Sequence, residues 1–407
     1  MLAVGATAVL VAVLVLDGPE RASLPGQPSS PADTAPDRTS ATRLLINELE
    51  AAWRRGDLAA VRELADPTRS SRREITDLAR NITELELSDF ALRYVAESSA
   101  SAAVAPAADP ATVEFGVDVQ MTWRIRGMHD SASTLEVPMA MAWDGTDARF
   151  VTVRDEAGAR VPLWLQERVR VRRTERTLLV TTRRDDTELA GQVEEAWRTV
   201  RRTLPDWRGT LVFTAPRTSE EFEVATGMDA DSASAIAAIT TTADGSSGAD
   251  SAVQVYLNPP VFDPLGPQGR QIVLSHEATH VAVDALDDAV PHWLSEGFAD
   301  YVALADTDLP ASVLAAQILT LVREDGPPGA LPGRVEFDGA NEDIGAWYEA
   351  AWLAAQLIAE RWGEPKLLEF YDRAVDDGEA VAFKQVLGVT KAEFVRTWAR
   401  HLTELAG

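Results

Sequence analysis

Residues 276–280 read His276-Glu277-Ala278-Thr279-His280, and Glu296 follows after a further fifteen residues. Residues four apart on an α-helix lie one turn above each other, so the two histidines can direct imidazole nitrogens at one tetrahedral metal ion. Glu277 then lies beside the open coordination position, where a carboxylate can accept a proton from a water that the metal has made more acidic. The spacing therefore predicts a metal site that activates water.

The stretch around this motif is predicted to form a buried helix from Gln268 to Leu286. Much of its circumference is apolar, with Ile272, Leu274, Ala278, Val281, Ala282 and Ala285. Two histidines and a glutamate on such a helix need partners, because an unpaired buried polar group costs about 1 to 3 kcal/mol. A metal ion would supply those partners; the alternative is a pair of core histidines bonded to carbonyls or carboxylates.

A second buried helix is predicted after Pro291. Glu296 and Asp300 lie one turn apart on it and share one face. Two histidines and one carboxylate form the ligand set of catalytic zinc sites with an open fourth position, and Asp300 can accept the remaining ring N–H of a ligand histidine. Gly297 lacks a Cβ, which predicts a close approach to the histidine helix. The alternatives are an ordinary ion pair for Glu296 and an exposed acid for Asp300.

Together these residues resemble the gluzincin metallopeptidases, and most closely the group called peptidase MA-like domains. The match comprises His276, Glu277, His280, Pro291, Trp293, Leu294, Glu296, Gly297, Ala299 and Tyr301. The resemblance implies a thermolysin-like α+β domain over residues 169–407 with a mostly helical C-terminal part. It also implies one catalytic Zn²⁺ bound by His276, His280 and Glu296, with Glu277 as the base and Asp300 supporting the ligands.

The same resemblance implies two further features. Relatives carry a tyrosine near the start of the helix predicted at 344–362, so Tyr348 is expected to donate its phenol to the tetrahedral oxyanion. The alternative is an ordinary core aromatic residue. Strand Val253 to Leu257 is expected to be the sheet edge on which an extended substrate pairs. The preceding stretch 230–251, rich in Ser, Thr, Ala, Asp and Gly, is interpreted as a mobile lid.

The chain departs from better-known relatives at several points. The interval between His280 and Glu296 is shorter than in thermolysin or aminopeptidase N, which implies a reduced active-site loop. No Gly-x-Met-Glu-Asn motif, the amine-binding signature of aminopeptidases, precedes the zinc helix, so an endopeptidase is favoured. The metzincin pattern needs Gly at position 283 and His at 286, where this chain has Val283 and Leu286. That branch is excluded.

With 407 residues and a hydrophobic fraction of 46%, the chain is long enough for two or three domains with packed cores. Its formal net charge of −26 repels nucleic acid and anionic membrane surfaces, so no nucleic-acid partner is expected. The sequence contains no cysteine, which removes disulfides, thiolate ligands and a cysteine nucleophile. A metal site must therefore use histidine and carboxylate ligands.

The N-terminus carries an apolar, uncharged run from Leu2 to Leu16. As a helix this run would span only about 22 Å against a hydrocarbon core of about 30 Å. Residues 1–16 are therefore interpreted as a signal peptide or an N-terminal membrane anchor, the alternative being a buried core helix. Residues 17–40 are Pro- and Ser-rich and are predicted to be a disordered stalk. The protein is expected to be extracytoplasmic, with membrane contact only through this N-terminal segment.

Residues 41–168 are predicted to form an α+β unit with an antiparallel sheet. Two helices, the first containing Trp53, precede strands near 90–95, 113–125, 134–143 and 149–153. This order resembles the nuclear-transport-factor-2-like cone fold, in which the cone serves as a binding pocket or as a spacer. Because no polar side chains converge in this part of the sequence, the spacer interpretation is favoured.

The sequence therefore predicts a zinc metallopeptidase that acts on a peptide or protein substrate. Two other hypotheses remain open. One is an envelope-tethered binding or scaffolding protein whose zinc site is structural or catalytically idle, which a sealed site would favour. The other is a zinc hydrolase that cleaves a non-peptide bond, which motifs alone do not distinguish from a peptidase.

Overall fold

The computed structural model describes residues 38–98, 112–154, 159–247, 251–284, 290–339 and 341–407. The predicted signal or anchor at 1–16 and the stalk up to residue 37 lie outside these residues. Within the described part, no helix is both long and apolar enough to cross a membrane. The architecture is mixed α+β, as the sequence predicts.

The first unit consists of helices followed by an antiparallel sheet. Its elements are α1 (Arg38–Arg55), α2 (Leu58–Glu63), α3 (Arg69–Glu84), β1 (Leu87–Glu97), β2 (Val113–Ile125), β3 (Ser133–Trp143) and β4 (Ala148–Val153). The strands pair in the order β1-β2-β3-β4, with every neighbouring pair antiparallel. The four predicted strands are confirmed. The short helix α2 is an addition to the two predicted helices, and the side chain of Asp57 caps it by accepting a hydrogen bond from the amide of Ala60.

The second unit is built on a mixed five-stranded sheet. After the short helix α4 (Leu163–Gln166), which ends the first unit, its elements as far as the metal motif are β5 (Arg170–Arg173), β6 (Thr177–Thr181), α5 (Thr187–Thr203), β7 (Leu211–Ala215), α6 (Ser219–Thr226), α7 (Ala230–Ala233), β8 (Ala238–Thr242), β9 (Val253–Leu257), α8 (Pro259–Phe262) and α9 (Pro267–Ala282). The strand order is β5-β6-β7-β9-β8. Strands β6, β7 and β9 are parallel, and β5 and β8 are the antiparallel outer strands.

This order corrects two predictions about the stretch before α9. Val253–Leu257 is not the sheet edge, because β9 pairs with β7 on one side and with β8 on the other. The edge is Ala238–Thr242, which lies inside the stretch 230–251 that was interpreted as a mobile lid. The described part of that stretch instead contains the short helix α7 and the edge strand β8. Ile239, Thr240, Thr241 and Thr242 are all β-branched, and such residues favour a pleated strand.

The two faces of the mixed sheet belong to different hydrophobic clusters. Leu179, Phe213 and Val255 point towards the helices and share a cluster with residues of α5 and α9. Leu178, Val180 and Val212 point the other way and are buried in one cluster with the helices and sheet of the first unit. Hydrogen bonds cross the same junction, from Arg160 to the carbonyl of Thr242 at 3.0 Å and from the amide of Thr134 to Asp244 at 2.8 Å. The first unit therefore covers the sheet's second face.

The C-terminal part is helical, as predicted. It comprises α10 (His292–Ala303), α11 (Ala311–Leu314), α12 (Ala316–Asp325), α13 (Ile344–Trp362), α14 (Glu364–Asp377), α15 (Glu379–Gln385) and α16 (Lys391–Ala406). The predicted bounds of α13 are confirmed, and Gly363 ends this helix with a φ of 96° that disfavours other residues. Thr390 and Glu393 form a capping box at the start of α16, a pattern that the sequence Thr390-x-x-Glu393 indicates.

Candidate metal centre

Helix α9, which carries the motif, is buried along its second half. Pro267 lies in its first turn, where backbone N–H groups have no partner within the helix, so proline costs no hydrogen bond there. Every residue from 273 to 280 is buried, because the helix lies between β8 and β9 on one side and α5 and α10 on the other. The polar side chains of the motif therefore find their partners inside the protein.

Three side-chain atoms from two helices converge at one point. Nε2 of His276 lies 2.9 Å from Nε2 of His280. Oε2 of Glu296, on α10, lies 3.2 Å from Nε2 of His276 and 3.4 Å from Nε2 of His280. All three residues are buried, and together they could hold a metal ion.

The spacing of these atoms fits a tetrahedral ion. With metal–ligand bonds of about 2.0 to 2.2 Å, tetrahedral geometry separates two ligand atoms by about 3.3 Å. The three separations of 2.9, 3.2 and 3.4 Å are close to that value. Among the described residues, Nδ1 of His280, the ring nitrogen outside this group, is buried without a hydrogen-bond partner.

Asp300 lies behind the ligands, where its Oδ1 accepts a 2.7 Å hydrogen bond from Nδ1 of His276. This bond leaves Nε2 of the same ring as the atom that faces the site. Burial alone would lower the pKa of His276, but Asp300 and Glu296 outweigh it and raise that pKa to about 10. The environment therefore favours positive charge, and a bound cation would replace the proton on the imidazole.

Glu296 is ionised in this environment. Burial alone would raise the pKa of its carboxyl, but the charge of His280 and hydrogen bonds from both histidines lower it to about 2. An ionised carboxylate next to two imidazoles is the chemical form in which such a group binds a metal.

Glu277 faces the site without belonging to the ligand group. Its side chain is fully buried, and one carboxylate oxygen, Oε2, accepts a hydrogen bond from the hydroxyl of Thr240. The other oxygen, Oε1, is buried and has no hydrogen-bond partner in the part of the chain that the structure describes. Burial raises the pKa of Glu277 above its ordinary value, against the opposing effects of His280, His276 and the Thr240 hydrogen bond.

Tyr348 reaches the same region from α13. Its ring centroid lies 6.3 Å from that of His276, and its side chain joins a buried cluster with Ile239 and Tyr256. Burial, with the charges of Glu296, Asp300 and Glu277, raises the pKa of Tyr348 well above its ordinary value. The phenol is therefore neutral and keeps a proton to donate.

Gly297 determines how closely α10 can approach a neighbouring helix, but the predicted neighbour is wrong. A Cβ at this position would lie 2.3 Å from the carbonyl oxygen of Ala351 and 2.6 Å from its carbonyl carbon. Ala351 belongs to α13, not to the histidine helix. The glycine therefore brings together the helix that carries Glu296 and Asp300 and the helix that carries Tyr348.

The whole centre is enclosed in this conformation. His276 and His280 are each 1% exposed, Glu277 is 0% exposed and Glu296 is 4% exposed. A substrate would need part of the surrounding structure to move before it could contact these groups. This closure bears directly on the choice between an active and an idle site.

The structure brings together all six residues that the sequence singles out: His276, Glu277, His280, Glu296, Asp300 and Tyr348. Their roles remain predictions. The residue that the sequence analysis missed is Thr240, because its stretch was interpreted as a lid. The run of β-branched residues from Ile239 to Thr242 was the signal that could have identified a strand there.

Comparisons with protein-family models, curated proteins and solved structures give no match for this chain.

Proposed function

We propose that this protein is a zinc-dependent endopeptidase of the gluzincin type that hydrolyses a peptide or protein substrate. The chain's own residues bring together two histidines and one carboxylate that could hold a metal ion, with one additional glutamate beside them. The finer expectation of a thermolysin-like arrangement belongs to the same proposal. It is supported by the order of an antiparallel edge strand, a histidine helix, a glutamate helix and a helical C-terminal part.

The observation that carries the proposal is the number of ligands. Structural zinc sites are almost always closed by four protein ligands, whereas catalytic sites use three and keep one position open. Among the described residues, the ligand group contains His276, His280 and Glu296 and no fourth member. Glu277 lies next to this group with Oε1 unpaired, which is the arrangement that a general base requires.

A zinc ion held by the three ligands would act as a Lewis acid and lower the pKa of water to about 7. Glu277 would accept a proton from the attacking water and later donate it to the nitrogen of the broken C–N bond. Tyr348, neutral and close to His276, would donate its phenol hydrogen to the oxyanion. Asp300 would keep the His276 ring oriented with Nε2 towards the site.

We propose that the substrate pairs with the outer edge of β8. Among the described strands β8 pairs only with β9, and the backbone groups of an outer edge can pair with an extended peptide. All five residues of β8 are buried in this conformation, so the edge would first have to be uncovered. Strand β8 also carries Thr240, which contacts Glu277. A peptide on this edge would lie beside the catalytic groups.

The location of the protein is part of the proposal as well. The apolar segment at 1–16 and the Pro-rich stretch after it support export or membrane tethering. Histidine and carboxylate ligands suit an oxidising compartment, because they do not form disulfides.

The test is cleavage of a peptide mixture by the zinc-loaded protein, with and without a chelator. Glu277→Gln is the control variant, because it removes the base and keeps the size of the side chain. We expect this variant to retain bound zinc and to lose activity by at least about 100-fold. Equal cleavage by the two proteins would refute the mechanism.

The enclosure of the centre favours a second candidate, a binding or scaffolding protein whose metal site is idle. His276, Glu277 and His280 are at most 1% exposed, and a substrate cannot reach them without movement. In this case zinc would raise the unfolding temperature and no peptide would be cleaved. Cleavage that depends on both zinc and Glu277 would exclude this candidate.

A further inference from the structure

Thr240 occupies the centre of the edge strand and points at the histidine helix. Side chains alternate along a strand, so Ala238, Thr240 and Thr242 share one face of β8. Ala238 belongs to the cluster on the helix face of the sheet, and Thr240 is paired with Val255, which belongs to the same cluster. The hydroxyl of Thr240 is therefore directed towards α9 and away from the first unit.

This hydroxyl makes the two oxygens of Glu277 inequivalent. Thr240 is 0% exposed, and its Oγ1 donates to Oε2 of Glu277 and lies 3.3 Å from the backbone carbonyl oxygen of the same residue. Oε1 has no hydrogen-bond partner among the described residues. One oxygen is thus held by the edge strand, and the other is available for a proton.

We infer that Thr240 is a positioning residue that holds Glu277 by Oε2, so that Oε1 is the oxygen that accepts and returns the proton. This inference rests on the proposed peptidase function. When Oε1 takes the proton, Oε2 becomes the carbonyl oxygen of a neutral acid, and a carbonyl oxygen still accepts the Thr240 hydrogen bond. The contact therefore persists through both proton transfers, and the base does not have to rotate between them.

The same strand would serve the substrate and the base. The backbone of β8 would pair with a peptide along its outer edge once that buried edge is uncovered, while the side chain of Thr240 holds Glu277 on the inner face. The position of the peptide backbone relative to the base is then set by one short strand. This explains why a buried threonine, and not an aliphatic residue, stands between Ile239 and Thr241.

The test uses two substitutions at position 240 in the full-length protein. Thr240→Val keeps the shape of the side chain and removes the hydroxyl, whereas Thr240→Ser keeps the hydroxyl. Loss of a hydrogen bond to a charged group corresponds to roughly a 10- to 100-fold effect. We expect kcat of Thr240→Val to fall by this factor, with KM and zinc content within about twofold of the unmodified protein. Thr240→Ser should retain most of the kcat of the unmodified protein.

Thr241→Val is the matched control, since this neighbour lies on the opposite face of β8 and is also buried. It replaces a hydroxyl by a methyl group in the same strand, and its kcat should stay within about twofold of the unmodified value. If Thr240→Val matched this control, or if Thr240→Ser were as impaired as Thr240→Val, the inference would be overturned.

An infrared measurement separates this inference from the proposed function. The carboxylate band of Glu277 is obtained as the difference between the unmodified protein and Glu277→Gln. Thr240→Val should shift this band in the metal-free and the zinc-loaded protein, and Thr240→Ser should leave it in place. If the unmodified protein cleaves no peptide, the proposed function fails, and the band still decides whether Thr240 holds the carboxylate. An unshifted band overturns the inference.

Discussion

Gly297→Ala is the substitution that most sharply tests the packing around the metal centre. The added Cβ would lie 2.3 Å from the carbonyl oxygen of Ala351, whereas ordinary contacts begin at 3.4 Å. The obstacle is backbone of α13, which cannot rotate away as a side chain can. Helices α10 and α13 would have to separate by about 1 Å, or their side chains would have to repack at a comparable cost.

The expected magnitude combines two opposing effects. Overpacking of this kind costs about 1 to 3 kcal/mol, and replacing glycine by alanine inside a helix returns about 1 kcal/mol. Because the obstacle is rigid, we expect a net loss of about 2 kcal/mol in the free energy of unfolding. Glu296 is the preceding residue, so the zinc dissociation constant should rise at least about tenfold, which corresponds to 1.4 kcal/mol.

Gly191→Ala is the control, because Gly191 also lies within a helix, α5, and a Cβ there would meet nothing within 4 Å. This control should gain up to about 1 kcal/mol of stability. The two free energies are measured by urea unfolding, and the zinc affinities by competition with a chelator. If Gly297→Ala were as stable as Gly191→Ala and bound zinc normally, the close approach of α10 and α13 would be refuted.

Three further predictions concern other parts of the structure. Asp300→Asn should weaken zinc binding by about 10- to 100-fold, because the carboxylate that orients His276 is lost, and chelator competition measures this. Burial raises the pKa of Glu349 from 4.5 to about 7, although the amide of Ile318 donates to it. Protonated Glu349 therefore contributes its full stabilisation below pH 4.5, and this contribution is lost as the pH rises through 7. Glu349→Gln does not titrate, so its free energy of unfolding minus that of the unmodified protein should increase by up to about 3 kcal/mol from pH 4 to pH 8, measured by urea unfolding. An equal difference at both pH values would contradict this. Thr390→Ala removes the capping box of α16 and should cost about 1 kcal/mol, measured in the same assay.

The sequence predicts most accurately those features that depend on a local rule. The bounds of α13 follow from an apolar run that glycine and proline end, and the start of α16 follows from Thr390 and Glu393. The convergence of His276, His280 and Glu296 follows from helical spacing and from the resemblance to a known ligand pattern.

The incorrect predictions concern which elements of the chain lie next to each other in space. The pairing partners of β9 depend on the whole sheet, and β8 was missed because threonine and serine also occur in loops. Gly297 indicated a close approach, but the sequence does not say to which helix, and only the packing identifies Ala351. The contact between Thr240 and Glu277 joins residues 37 positions apart, beyond the range of any local pattern.

The hydrophobic cluster beneath the mixed sheet has a consequence for how the protein unfolds. Leu178, Val180 and Val212 are buried in the same cluster as Trp53 and Phe115 of the first unit. Removing either unit would expose this apolar surface to water, at a cost of about 25 cal/mol for each Å² uncovered. The two units therefore share one buried cluster, and we expect them to melt in one cooperative transition. We therefore expect the boundary near residue 168 to separate two patterns of sequence within a single unit of stability.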